Sequence, residues 1–135
     1  MILSAKKKAF TLVEITIVLV ILGILAGIAW PNFMRSKERA LAKEAIVGLK
    51  LIRAAEMVYQ SENGTYYPSS GSQGNIATIN TNLRLTLSET NWDYTITGGA
   101  SAFTATANRQ GSGPYKDCVY TITQATAEPT ANSCP

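Results

Sequence analysis

The amino-acid sequence predicts an α+β fold, in which one long N-terminal helix packs on a small antiparallel sheet of about four strands. Two observations lead to this prediction. Residues 10–30 are an almost continuous apolar run that continues into a helical period of apolar side chains up to residue 62, whereas residues 83–122 place apolar side chains at a period of two. The chain has 135 residues, of which 46% are hydrophobic, and this suits one membrane segment followed by one small domain.

The first element is the apolar run FTLVEITIVLVILGILAGIAW, residues 10–30. As a helix it would extend about 31 Å, enough to cross the hydrocarbon core of a bilayer. The lysines at residues 6–8 precede it, which favours an orientation with the N-terminus in the cytoplasm. An ordinary secretory signal peptide is the alternative, since the small residues Gly27 and Ala29 suit cleavage after Ala29.

One carboxylate, Glu14, interrupts this apolar run. An unpaired charge at bilayer depth is costly, so such a residue ordinarily has a partner and a function. The alternative places Glu14 at the membrane edge, with its side chain extended to water near Lys8.

After Pro31 the pattern becomes that of an amphipathic helix, which we expect over residues 32–62. Gly64 and Pro68 are predicted to end it, and Pro31 is expected to kink it. The apolar face comprises Leu41, Ala45, Gly48, Leu49, Ile52, Ala55 and Tyr59, and the basic side comprises Arg39, Lys43, Lys50 and Arg53.

The turn-rich residues 63–82 are predicted to form a connecting loop with little regular structure. Asn63 and Thr65 also fit an N-glycosylation acceptor, although a helix stop explains the Asn-Gly pair equally well. Beyond the loop, alternation predicts four short strands, which the amphipathic helix would cover. Their apolar positions are Leu83, Leu85 and Leu87; Trp92, Tyr94 and Ile96; Phe103, Ala105 and Ala107; and Cys118, Tyr120 and Ile122.

The chain has two cysteines, Cys118 and Cys134. An even number of cysteines behind an export-type N-terminus favours a disulfide in an oxidising compartment. Closing a loop of this size contributes about 3 kcal/mol in the chain-entropy model. Two free cysteines that act as small hydrophobic side chains are the alternative.

The composition argues against an enzyme, a metal site or a cofactor site. The chain has no histidine and no set of nucleophile, base and orienting residue, so we expect no enzymatic activity. The acids of the C-terminal half lack the spacing of a metal-binding loop. The net charge of +3 equals the contribution of the lysines at residues 6–8, so the remaining chain carries no evident footprint for DNA. The four acids of the C-terminal half that lack the spacing of a metal-binding loop are Glu89, Asp93, Asp117 and Glu128.

The segment KKKAFTLVEITIVLVILGILAGIAWP resembles the N-terminus of type IV pilins and of the related pseudopilins of type II secretion. In that family a basic leader is removed before a phenylalanine and the new amino group is methylated. The resemblance implies a leader at residues 1–9, cleavage between Ala9 and Phe10, and N-methylation of Phe10. Ala9 stands where the family usually has glycine, and we expect this to slow cleavage at most.

The resemblance also implies a pilin fold. Residues 10–31 would form the transmembrane and filament-core helix, and residues 32–135 the globular domain. Within that domain it implies the helix 32–62, the loop 63–82, and a sheet with a C-terminal disulfide loop over residues 83–135.

Site residues follow from the same resemblance. Glu14 would neutralise the amino terminus of Phe10 on a neighbouring subunit and so act in assembly. Gly23, Gly27 and Pro31 would allow the helix to kink or to melt when the subunit leaves the membrane.

The resulting hypothesis is a structural subunit of a type IV pilus, held in the inner membrane and then exported into a surface filament. Its partners would be copies of itself, the prepilin peptidase and methyltransferase, the inner-membrane assembly machinery and the membrane; a DNA partner is unsupported. A pseudopilin in a periplasmic piston is the first alternative. The second is a secreted or membrane-tethered binding module that begins at Trp30. Its ligand site would be the aromatic cluster Tyr66, Tyr67, Trp92 and Tyr94.

Overall fold

A computed structural model describes residues 10–135, and the predicted leader lies outside these residues. The fold is α+β, as the sequence predicts. The chain divides into two compact units, Met1–Ser36 and Lys37–Pro135. The elements are α1 (Leu12–Asn63), β1 (Ser72–Gln73), α2 (Ile76–Leu83), β2 (Trp92–Gly98), β3 (Phe103–Arg109), β4 (Val119–Thr123) and β5 (Thr130–Asn132).

Helix α1 ends where the sequence predicts. Its last residue is Asn63, and Gly64 follows with φ of 76°, in the left-handed region that glycine adopts without a steric penalty. The Gly64 N–H donates to the Gln60 carbonyl at 2.8 Å, which satisfies one carbonyl of the last turn. Asn63 donates its side-chain amide to the Tyr59 carbonyl at 3.0 Å. The Asn-Gly pair therefore serves as a helix stop.

The sheet has five antiparallel strands in the order β1-β2-β3-β4-β5. Tyr94 of β2 pairs with Ala107 of β3, which pairs with Tyr120 of β4. All three are buried, as are Trp92, Ile96, Ala105 and Ile122 on the same face. The strands therefore present one apolar face, and this face forms the core of the second unit with α1.

The predicted strand at Leu83, Leu85 and Leu87 is wrong, because these residues lie at the end of α2 and in the segment after it. Asn75 caps α2 by accepting the Thr78 N–H at 3.0 Å. Because the three leucines alternate, the sequence analysis assigned Leu83 to a strand and did not predict α2.

The loop predicted for residues 63–82 likewise contains β1 and most of α2. Ile79 and Leu83 are both buried, and their separation of four places them on one face of the helix. The segment after α2 is held by Asn80, whose amide donates to the Leu87 carbonyl and whose oxygen accepts the Leu87 N–H, each at 2.9 Å. The Asn80 side chain thus bonds the Leu87 backbone groups that a neighbouring strand would bond if this segment were the predicted strand.

The core of the second unit is the contact between α1 and the sheet. The helix approaches β2 most closely at Gly48, where a Cβ atom would lie 2.9 Å from Cζ of Tyr94. The Trp92 indole N–H donates to the Leu41 carbonyl at 2.9 Å, so the first residue of β2 is tied to the same helix. The buried face of α1 comprises Ala42, Ala45, Gly48, Leu49, Ile52 and Glu56.

Charged side chains secure the margins of this contact. Glu38 pairs with Arg109 at 3.2 Å, and both side chains are largely buried, with exposed fractions of 16% and 14%. The Arg109 guanidinium also lies 5.7 Å from the centre of the Trp92 ring, a cation–π distance. On the predicted basic side, Lys50 pairs with Glu128 at 2.6 Å.

The predicted disulfide between Cys118 and Cys134 is confirmed. It joins the residue before β4 to the segment after β5, with a Cα–Cα distance of 4.6 Å. Cys118 is buried in the core. The disulfide therefore fixes the end of the chain to the sheet.

Gly98 is a position where any side chain would disturb the fold. A Cβ atom there would lie 2.5 Å from the Tyr67 carbonyl oxygen and 2.7 Å from the Tyr67 carbonyl carbon. We predict that Gly98→Ala lowers the free energy of unfolding by about 1–3 kcal/mol, the usual cost of overpacking. Urea denaturation of the full chain in detergent micelles measures this.

The matched control is Gly99→Ala, because the nearest atom to a Cβ at Gly99 is the Ala102 carbonyl oxygen at 3.8 Å. Equal stability of the two variants would contradict the prediction.

Candidate functional site

The candidate site is the first unit, whose described residues run from Phe10 to Ser36. Every one of them is exposed, and α1 is long and apolar enough to cross a membrane. The exposed large apolar side chains of this unit are Phe10, Leu12, Val13, Ile15, Ile17, Val18, Leu19, Val20, Ile21, Leu22, Ile24, Leu25, Ile28, Trp30, Phe33 and Met34.

These apolar side chains surround the helix instead of forming one stripe. A surface helix of a globular protein has an apolar face and a polar face, whereas a helix that is apolar all round needs a non-aqueous environment on every side. Residues 12–30 would span about 29 Å as a helix, close to the thickness of a bilayer core. Lipid or other apolar helices are the surroundings that fit this surface.

Glu14 takes part in a capping box at the start of α1. Thr11 is the N-cap residue: its hydroxyl oxygen accepts the Glu14 N–H at 3.2 Å, and Glu14 Oε2 accepts the Thr11 N–H at 3.0 Å. The Thr11 hydroxyl also donates to Glu14 Oε2 at 3.0 Å. Two backbone N–H groups that the helix leaves unpaired are satisfied in this way, and the carboxylate lies at the positive end of the helix dipole.

The other predicted site residues of this unit are placed as follows. Phe10 precedes the helix and is 80% exposed, while Ala9 lies outside the described residues. Gly23 and Gly27 have no atom within 4 Å of the position that a Cβ would occupy. α1 is helical through Pro31, and a kink or melting on assembly stays a prediction.

The aromatic cluster expected for a ligand-binding module is buried. Tyr66 and Tyr67 are each 8% exposed, and Trp92 and Tyr94 are each 1% exposed. The Tyr66 ring packs on the Phe103 ring of the core, at 5.1 Å between ring centres. These side chains therefore serve the core and offer no surface site for a ligand. Among residues 10–135, no group of three or more His, Cys, Asp or Glu is arranged to hold a metal ion.

The sequence analysis did not predict the structural roles of two residues, Thr11 and Glu56. Thr11 was recoverable, because TLVE at residues 11–14 fits the capping-box pattern of threonine followed three residues later by glutamate. Glu56 is fully buried, and Oε2 accepts the Tyr67 N–H at 2.8 Å. It lies four residues after Ile52, on the apolar face, which is the signal that could have revealed it.

The N-terminus of the chain matches a family of known proteins. The family described as the prokaryotic N-terminal methylation motif matches residues 4–30, which include the exposed apolar segment and the capping box. The chain resembles the pilins and pseudopilins. The match extends over residues 4–9 of the predicted leader, the predicted cleavage point and Glu14.

Curated relatives of this pilin-like chain are of two kinds. It is 41% identical over 63 residues to the type IV major pilin protein PilA of Myxococcus xanthus, covering 47% of this chain and 29% of the relative. It is 38% identical over 61 residues to the type II secretion system core protein G of Pectobacterium carotovorum, covering 45% of this chain and 39% of the relative. The Escherichia coli core protein G is 37% identical over 65 residues, covering 48% and 44%. The chain thus spans less than half the length of these relatives.

We predict that Thr11→Val frays the first turn of α1, because valine has the shape of threonine but accepts no hydrogen bond. Loss of an N-cap costs about 1 kcal/mol, which corresponds to about a fivefold faster exchange of the Glu14 amide hydrogen. NMR hydrogen exchange on the full chain in detergent micelles measures this rate.

Thr16→Val is the control, since the Thr16 hydroxyl donates to the Val13 carbonyl at 2.9 Å and caps no N–H group. The capping role is contradicted if Thr11→Val leaves the Glu14 exchange rate as slow as the control does.

Proposed function

We propose that this chain is a structural subunit of a type IV pilus, in which copies of the chain assemble through the helix of residues 10–30. The observation that carries this proposal is the conjunction of the methylation motif with an apolar helix that is exposed all round. Before assembly the bilayer would surround this helix. In the filament the corresponding helices of neighbouring copies would replace the lipid.

The small residues of the helix favour close packing of this kind. Gly23 and Gly27 lie one turn apart, and the space above each is open. Helices in apolar surroundings associate through such small residues, because their backbones then approach closely. A second exposed apolar surface lies on α1 within the second unit, at Val47, Leu51 and Val58. We propose that it faces neighbouring copies too.

Glu14 would fix the register between subunits. The amino terminus that cleavage before Phe10 creates is a cation, and the Glu14 carboxylate of a neighbour is an anion that could neutralise it. A paired charge in apolar surroundings specifies geometry, and removal of either partner leaves the other uncompensated at a cost of several kcal/mol. Prepilin peptidase and the N-methyltransferase are the enzymes that this processing requires.

The alternative within the same family is a pseudopilin of a type II secretion system. The relatives named core protein G support this alternative, because their identity to the chain, 38% over 61 residues, is similar to the 41% over 63 residues of the pilin. Both proposals give the helix the same role and give the chain no enzymatic activity. They differ in where the assembly ends, which is the cell surface for the pilus and the periplasm for the pseudopilin.

We predict that Glu14→Ala lowers the yield of filaments more than tenfold while the amount of chain in the membrane is unchanged. Glu14→Gln separates the two roles of the residue, because glutamine still accepts the Thr11 N–H but carries no charge. If the charge acts in assembly, both variants fail. Quantitative immunoblots of sheared filaments and of membranes measure the outcome.

Glu62→Gln is the control, since Glu62 is an exposed acid on the same helix. Normal filament yield from Glu14→Gln would contradict the charge pairing and leave the cap as the role of Glu14.

We predict that the mature chain begins with N-methylated Phe10, and mass spectrometry of the intact protein from the native cell measures this. Recovery of that chain from sheared surface filaments supports the pilus subunit. Its confinement to the cell envelope favours the pseudopilin. A chain that begins at Trp30 would contradict both and support an ordinary signal peptide.

A further inference from the structure

Glu56 is a buried carboxyl group for which the proposed function has no use. It is 0% exposed and lies on the face of α1 that packs on the sheet. Oε2 accepts the Tyr67 N–H at 2.8 Å, while the buried Oε1 atom has no hydrogen-bond partner. Burying a charged oxygen without a partner is costly, and this burial raises the pKa of Glu56 to about 7, opposed by the Tyr67 N–H.

No charged side chain compensates Glu56 within the described residues. Arg53 precedes it by three positions on α1, but its guanidinium donates to the Gln124 carbonyl at 3.2 Å. Glu62 and Arg84 pair with each other at an exposed position. The two influences on the pKa of Glu56 are its burial and the Tyr67 N–H.

The other titratable side chains that lie buried in the core of the described residues are tyrosines. Burial raises the pKa of Tyr94 to about 12 and raises the pKa of Tyr120. The chain has no histidine, the side chain that ordinarily titrates near pH 6.5. A change of protonation between pH 5 and pH 8 therefore acts on the core through Glu56. The tyrosines nearest in sequence are Tyr59, Tyr66 and Tyr67.

Tyr67 belongs to residues 66–73, a segment that we call the strap. The strap covers the edge of β2 that lies opposite β3. The Tyr66 N–H donates to the Gly99 carbonyl and the Gly98 N–H donates to the Gly71 carbonyl, each at 3.1 Å. Ser72 and Gln73 then form the short strand β1 against β2. The strap thus occupies hydrogen-bonding groups that an open strand edge would offer to another chain.

Among the bonds that hold the strap, the one from Tyr67 N–H to Glu56 is the one whose acceptor titrates in the neutral range. It ties the strap to α1, as does the Tyr66 hydroxyl, which donates to Met57 Sδ at 4.0 Å, whereas the backbone–backbone bonds tie the strap to the β2 edge and the turn that follows. The Tyr67 ring adds a contact with Tyr59 at 5.6 Å between ring centres, and its hydroxyl accepts from the Asn82 amide at 3.3 Å.

We propose that Glu56 is a proton-controlled anchor of the strap: the neutral carboxyl holds residues 66–73 against α1 and the edge of β2, and ionisation releases them. In the neutral form Oε2 accepts the Tyr67 N–H and the proton resides on Oε1. An ionised group needs water at Oε1, and water reaches it when the strap lifts. The inference concerns the second unit and is independent of the assembly role proposed for the first.

The direction of the pH effect follows from linkage. The pKa of Glu56 is about 7 with the strap closed and near the ordinary value of 4.5 once the group is hydrated. The closed strap is therefore fully stabilised below about pH 4.5, and this stabilisation is lost as the pH rises through about 7. Between pH 6 and pH 8.5 the equilibrium constant for opening should rise about tenfold for these two pKa values.

Two NMR measurements on the full, isotopically labelled chain in detergent micelles test this proposal. The first follows the Glu56 carboxyl carbon as the pH changes, and we expect a midpoint near pH 7. The second measures the protection factor of the Tyr67 amide, which corrects for the intrinsic pH dependence of exchange. We expect it to fall about tenfold from pH 6 to pH 8.5 and to stay below that of Ala105 in β3.

In Glu56→Gln, which cannot ionise, the Tyr67 protection factor should be independent of pH within twofold. Glu62→Gln is the matched control on the same helix and should retain the tenfold fall. A Glu56 midpoint below pH 5.5 would overturn the proposal and requires no variant. Equal protection of Tyr67 and Ala105 at every pH would also overturn it, since the strap would then open only when the whole unit unfolds.

Discussion

The packing of α1 on β2, β3 and β4 is the interaction on which the rest of the second unit depends. A small antiparallel sheet with one apolar face is barely stable in water until another element covers that face. The helix supplies that cover because Ala45, Gly48 and Ile52 repeat at helical spacing. Gly48 matters most for the distance, since its missing side chain gives Tyr94 the space it occupies. The strap, α2 and the C-terminal disulfide are all attached around this contact.

The same helix carries a second and different surface. Between Leu12 and Trp30 its large apolar side chains lie on every side of the helix, and each of them is exposed. Lipid or other apolar helices are the surroundings that fit such a surface. A single helix thus serves two surroundings, and the change of pattern near Pro31 marks where one gives way to the other.

Two carboxylates of α1 lie among apolar residues, and the chain accommodates them differently. Glu14 shares hydrogen bonds with Thr11 at the positive end of the helix dipole, a local solution written in four consecutive residues. Glu56 accepts a hydrogen bond from the N–H of Tyr67, 11 residues away. The first arrangement leaves the carboxylate exposed. The second encloses the carboxylate and raises its pKa.

The sequence by itself determined the elements whose patterns are local. The stop of α1 at Gly64, the strands β2, β3 and β4 and the cysteine pairing follow from glycine chemistry, periodicity and cysteine number. The motif at the N-terminus is equally local, because a short run of consecutive residues specifies it.

Only the tertiary structure decided the features that depend on partners distant in sequence. Alternation at Leu83, Leu85 and Leu87 predicts a strand, but a strand also needs a neighbour, and here Asn80 supplies the hydrogen bonds instead. The burial of Glu56 likewise depends on the strap, which reaches it only after the chain turns back at Gly64. A local pattern states what a residue prefers, whereas burial and pairing are properties of the surroundings that the whole fold creates.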